Sequence, residues 1–160
     1  MSYEELLIKA EEKGIEVKEV NMHPSLKGLY RNNKILINLK LDTNIEKKCI
    51  LAEEIGHHET SSGNILDNKN IVNRKQELKA RRWAYEHIIK LSDLIKAYEH
   101  GAITSFEIAD YLNITEEFLN NCIINYKKRY GFSVEFENHF IYFYPYIKII
   151  KKNTFNYSVI

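Results

Sequence analysis

Apolar positions recur at helical spacing over Tyr3–Lys13, where Leu6, Leu7 and Ala10 share a face, and Gly14 is placed to end the helix. The period then drops to two. Ile15-Glu-Val-Lys-Glu-Val20 alternates as a half-buried strand does, and it reads as an edge strand. Gly28–Arg31 and Lys34–Asn38 flank Asn32-Asn33, and asparagine tolerates positive φ, so these segments predict a tight hairpin. Helical spacing returns after Asp42. Thr43 and Glu46 form a capping box, and Ile45, Cys49, Ala52 and Gly56 fall on one face of a helix running to about His58. Thr60-Ser-Ser-Gly-Asn64 breaks it, and Asp67–Asn70 continue as a polar loop. A second long helix is expected over Asn73–Lys90, with Leu78, Ala80, Trp83, Ala84, His87 and Ile88 as its apolar set. Shorter helices follow: Ser92–His100, with Gly101 as a stop; Ser105–Leu112, with a Thr104/Glu107 capping box; and Glu116 to about Arg129, capped by Thr115. From Phe132 the chain is rich in Phe, Tyr and Ile and reads as one or two strands. This order predicts an α+β fold, with residues 1–90 as a core and 91–160 as a helical and terminal-strand region packed on it.

Composition narrows the function classes. The chain has 160 residues and a formal charge of +1, which disfavours a bulk polyanion binder. Two cysteines, Cys49 and Cys122, are too few for a disulfide framework or a cysteine-rich zinc module. No secretory leader pattern opens the sequence, and no run of about 18 apolar residues occurs. The expected setting is the cytoplasm.

The chemistry concentrates in Leu51-Ala-Glu-Glu-Ile-Gly-His-His58. Residues four apart on a helix share a face, so Glu53 stands with His57 and Glu54 with His58. The arrangement is close to HExxH, with Glu53 in the place of the first histidine. A catalytic Zn2+ site needs three protein ligands and an open position. Glu53 and His57 can supply two, leaving Glu54 as general base. The best third ligand is Glu77 on the next helix, where Ala80 and Ala84 on the same face would let the helices approach closely. His58 is an alternative ligand, paired with Glu54 and leaving Glu53 free. Without a metal, the same residues would make only a solvated, charge-rich helix.

LAEEIGHH followed by NRKQELKARRWAYE resembles the ImmA/IrrE family of metallo-endopeptidases, found in phages and bacterial mobile elements. The family pattern is HExxH or a variant, then E-x-x-A-x-x-x-A, matched here by Glu77, Ala80 and Ala84. The resemblance covers roughly residues 3–130. It implies a zincin-like small sheet packed on a metal-binding helix and a second ligand helix. It further implies a zinc peptidase that cleaves a helix-turn-helix repressor and so relieves repression of the element. The departure at Glu53 adds a negative charge and a harder ligand, which bears on which metal binds. It also leaves open an inactive relative that sequesters the repressor without cleaving it.

The remaining residues have plainer readings. His23 is expected at the surface, His87 in helix packing, His100 at a helix C-terminus, and His139 in a turn between terminal strands. Cys49 and Cys122 read as packing residues. Ile35-Leu-Ile37 is either an ordinary buried strand or a strand to whose edge a substrate adds. Thr104–Leu119 resembles a helix-turn-helix, but its second helix opens with Glu116 and Glu117, whose charge opposes a phosphate backbone. A structural or protein-binding role is therefore expected, and DNA binding is the weaker alternative. Arg74, Lys75, Lys79, Arg81 and Arg82 mostly read as a solvated helix face.

Overall fold

A computed structural model describes residues 1–60 and 70–152, with the side chains of 70–73 left aside. The expected break at Thr60–Asn64 and the polar loop that follows lie almost wholly outside these residues.

Helix α1 (Tyr3–Glu12) opens on Ser2, whose hydroxyl accepts from the Glu5 N–H at 3.1 Å while the Glu5 carboxylate accepts from the Ser2 N–H at 2.7 Å. It buries Tyr3, Leu6 and Ala10. Strand β1 (Glu16–Val20) pairs in parallel with β3 (Lys34–Asn38), and β2 (Gly28–Arg31) pairs antiparallel with β3 on its other side. The turn between β2 and β3 holds Asn32 and Asn33 at φ 51° and 58°, the double positive φ that a two-residue hairpin demands. The sheet order β1-β3-β2 leaves β1 and β2 as edges. Ile35 and Ile37 are therefore buried core on a strand already paired on both sides, and the outer strand open to an added peptide is β2.

Helix α2 (Asn44–Thr60) is capped by Thr43, whose hydroxyl accepts from the Glu46 N–H at 3.1 Å. Its buried face is wider than the spacing of Ile45, Cys49, Ala52 and Gly56 suggests, because Lys48, Leu51 and Ile55 are also buried. Helix α3 (Asn70–Ile88) begins earlier than expected and buries Ala80, Ala84 and Tyr85. Leu78 is 55% exposed and His87 is exposed, so neither belongs to the apolar face. His87 instead stacks on Trp83, with centroids 3.9 Å apart. Helices α4 (Leu91–Glu99), α5 (Ser105–Tyr111) and α6 (Glu116–Tyr130) follow.

Among the described residues the tail forms three strands rather than one or two. Strands β4 (Ser133–Phe136), β5 (His139–Tyr142) and β6 (Lys148–Lys151) make an antiparallel meander in that order. The turn falls at Glu137, with φ 51°, so His139, expected in the turn, begins β5 instead and is buried, with Nε2 3.7 Å from Glu99. One apolar cluster joins α1, the first sheet, α2 and α3 to α4–α6 and the second sheet, from Tyr3 to Ile149. No described helix is long and apolar enough to cross a membrane.

Candidate metal centre

Helices α2 and α3 meet at bare backbone. A Cβ placed on Gly56 would lie 2.2 Å from the Ala80 carbonyl oxygen, so only glycine permits this approach. The next residue on α2 is His57, and Ala80 is one turn beyond Glu77 on α3. The close crossing therefore brings these two side chains together, with His57 Nε2 3.0 Å from Glu77 Oε2. Glu53, one turn before His57, faces the same space.

Strand β2 closes the other side. Gly28 packs on α2 so tightly that an added Cβ would meet Ile50 Cγ2 at 2.5 Å and Glu54 Oε1 at 2.8 Å. Between β2, α2 and α3 lies a cleft of about 450 Å³, lined by Gly28, Glu53, Glu54, His57, Glu77 and Arg81 among others. His58 turns toward β2, where its Nδ1 lies 3.0 Å from the Tyr30 hydroxyl and the rings meet edge to face. A second hollow of about 250 Å³ adjoins the cleft, sharing Lys27, Ile50, Glu53 and Arg81. Its far wall comes from α6 and its cap, through Thr115, Glu117 and Phe118.

The electrostatics follow from three carboxylates in a partly closed space. Burial raises the Glu54 carboxyl, and the charges of Glu53 and Glu77 raise it further, to about 7, while the Tyr30 backbone N–H and Arg81 pull partly the other way. Burial also raises Glu53 above the ordinary carboxylate range, against the attraction of Arg81. Arg81 is the functional neighbour that the sequence reading left among solvated basic residues. Its Nε lies 2.7 Å from Glu77 Oε1 and 3.6 Å from Glu53 Oε2. The signal was its spacing, since position 81 is four residues after Glu77 and on the same face. Tyr30 and Gly28 are legible in the sequence as residues of the hairpin and of a Gly-Leu-Tyr strand that fits the family resemblance, without a role at the site.

An imidazole and two carboxylates beside a third carboxylate of raised pKa are the right kinds of donor for a divalent metal. Their placement differs from a gathered ligand set. Among the described residues, no group of three or more His, Cys, Asp or Glu side chains is arranged to hold a metal ion. Glu77 meets His57 with one oxygen and Arg81 with the other, and Glu53 also meets Arg81.

The cysteines stand apart from this chemistry. Cys49 is buried beside Thr115, Cys122 lies in the core, and burial raises both thiols.

A small sheet set against paired helices, with Glu-Glu-x-x-His on one and a glutamate on the other, defines a metallopeptidase-like domain. The model of the Peptidase_M78 family, described as the IrrE N-terminal-like domain, matches residues 10–142, and the chain belongs to that family. Metallopeptidases of this family are typically metal-dependent. None of the curated proteins compared with the chain matches it.

Proposed function

We propose that this protein is a cytoplasmic zinc-dependent endopeptidase that cleaves a helix-turn-helix repressor and thereby derepresses a phage or mobile element. The observation that carries the reading is the meeting of Glu53, Glu54 and His57 from α2 with Glu77 from α3 in one cleft beside the free edge of β2. Glu53, His57 and Glu77 would hold the metal. Bound there, it would supply Lewis acidity to the scissile carbonyl and to a water molecule.

The chain's own residues supply the rest. A peptide adding antiparallel to β2 would be held by main-chain hydrogen bonds, with its side chains reaching the hollow walled by α6. Glu54 takes a proton from the attacking water at its carboxylate and returns it to the leaving amine. Glu54 lines the same cleft as Glu53, His57 and Glu77, so its carboxylate faces the space where the water would be held. Gly28 keeps the β2 backbone close to that carboxylate.

The test is incubation with the repressor encoded nearby, followed by intact-mass analysis. Two defined fragments, absent with Glu54→Gln, are expected. A fully active Glu54→Gln would reject the assigned base. The pairing of Arg81 with Glu53 and Glu77 favours a second reading, a metal-free module that binds the repressor without cutting it. An uncleaved complex in the same experiment would support that reading. The start of α6, with Glu117 in the hollow beside Glu53, supports a role at the cleft rather than on DNA. Tight, salt-sensitive gel shifts with mixed duplex would count against this.

A further inference from the structure

Arg81 stands in an unusual place for a charged side chain near a metal centre. It reaches the two carboxylates from different helices, Glu77 of α3 at 2.7 Å and Glu53 of α2 at 3.6 Å. Its side chain is about half exposed, whereas Glu53 is only 21% exposed. A guanidinium cannot shed its proton in this setting, so it is a fixed positive charge.

Charge counting gives that position a meaning. With histidine at the first motif position, the ligands would be two neutral imidazoles and one carboxylate. Glu53 adds a negative charge, and Arg81 places one positive charge beside it. The oxygens that Arg81 holds belong to two of the three side chains assigned as ligands. A guanidinium and a divalent cation seek the same oxygens and repel one another.

We propose that Arg81 is a built-in cation that holds Glu53 and Glu77 together when no metal is bound and gives up their oxygens on loading, so that it sets the affinity of the site. This rests on the reading of Glu53, His57 and Glu77 as ligands. The ion pair keeps two carboxylates from repelling each other across the α2–α3 contact. The cost is weaker metal binding, since each loading event must displace the guanidinium and then tolerate it nearby.

The test is titration with Zn2+ alone, in competition with a chromophoric chelator at pH 7.5. Wild type is compared with Arg81→Ala, Arg81→Gln and Arg81→Lys, and with Arg82→Ala as a control for general charge. Far-UV circular dichroism verifies the fold of each, and Arg81→Gln keeps most of the side-chain volume should Arg81→Ala fold poorly. The neutral variants should bind Zn2+ at least about tenfold more tightly, as removing a unit charge beside a dication predicts. Arg81→Lys should fall between them and wild type, because it keeps the charge but loses the planar fork. Arg82→Ala should leave the affinity unchanged. Equal or weaker binding by Arg81→Gln, with wild type binding normally, would overturn the proposal and leave the metal reading standing. Absence of binding in wild type and all variants would overturn both.

Discussion

Replacing Glu54 by glutamine tests the electrostatics of the cleft without needing a substrate. The ordinary carboxyl value is 4.5, and in the folded, metal-free protein burial and the neighbouring Glu53 and Glu77 charges push it to about 7. Below 4.5 the group is protonated in both folded and unfolded chains and costs nothing. Between 4.5 and 7 the unfolded chain ionises first, so stability falls as pH rises. Above 7 the full cost is present, at most about 3 kcal/mol. At pH 5 it is roughly 1 kcal/mol. Glutamine keeps the shape and never ionises. In chelator-treated protein, urea denaturation at pH 8 should therefore find Glu54→Gln more stable than wild type by about 2–3 kcal/mol, after allowance for partial solvent screening. At pH 5 the gap should shrink to about 1 kcal/mol or less. A variant that is less stable at pH 8, or a gap that does not change with pH, would show that burial and the neighbouring carboxylates do not raise the Glu54 carboxyl.

Three further substitutions probe the supports of the site. Gly56→Ala drives a methyl against the Ala80 carbonyl, and because both partners are backbone the helices must part; calorimetry should find a loss of about 3 kcal/mol. At Gly28, alanine meets the movable ends of Ile50 and Glu54, so Gly28→Ala should lose only about 1–2 kcal/mol of stability. Its cleavage rate should nevertheless drop about tenfold, because a misplaced base is costly to the chemistry; unchanged turnover would show that Glu54 needs no such packing. Lys48 is 2% exposed and donates from Nζ to the carbonyls of Leu112 and Asn113, both at 2.9 Å, which ties α2 to the end of α5. Lys48→Met leaves those carbonyls unpaired and should cost about 1–3 kcal/mol in denaturant titration.

Local signals carried most of the architecture. The Thr43/Glu46 and Thr104/Glu107 capping boxes, the Asn32-Asn33 turn and the stop after α1 are decided by residues a few positions apart, and each was readable. So was the close crossing at Ala80, from its small side chain. What could not be read depends on contacts distant in sequence. Strand order is one case: the alternation of Ile35 and Ile37 fits an edge or a centre equally, and only the parallel arrival of β1 puts β3 in the middle. His139 is another, because the position of the turn decides whether it lies in the loop or in a buried strand. Leu78 fits an apolar helix stripe by spacing, yet among the described residues it stays exposed. Arg81 lies in a basic run, which is normally a solvated face, and only the approach of α2 adds Glu53 to the Glu77 that its own helix supplies.

That last case leads to a prediction that sequence alone can check. If Arg81 balances Glu53, the two positions are coupled by charge. Where a family member carries histidine first in the motif, nothing at that corner needs an extra cation, and the residue four places after the ligand glutamate is free to vary. Where glutamate stands first, as here, an unbalanced carboxylate beside Glu54 and Glu77 would face like charges at short range in a partly dry cleft, a repulsion of several kcal/mol at low effective dielectric. Aligned relatives should therefore show arginine or lysine at that place more often with Glu-Glu-x-x-His than with His-Glu-x-x-His. Equal frequencies in the two groups would mean that Arg81 serves Glu77 alone, and that the glutamate at position 53 is tolerated for some other reason.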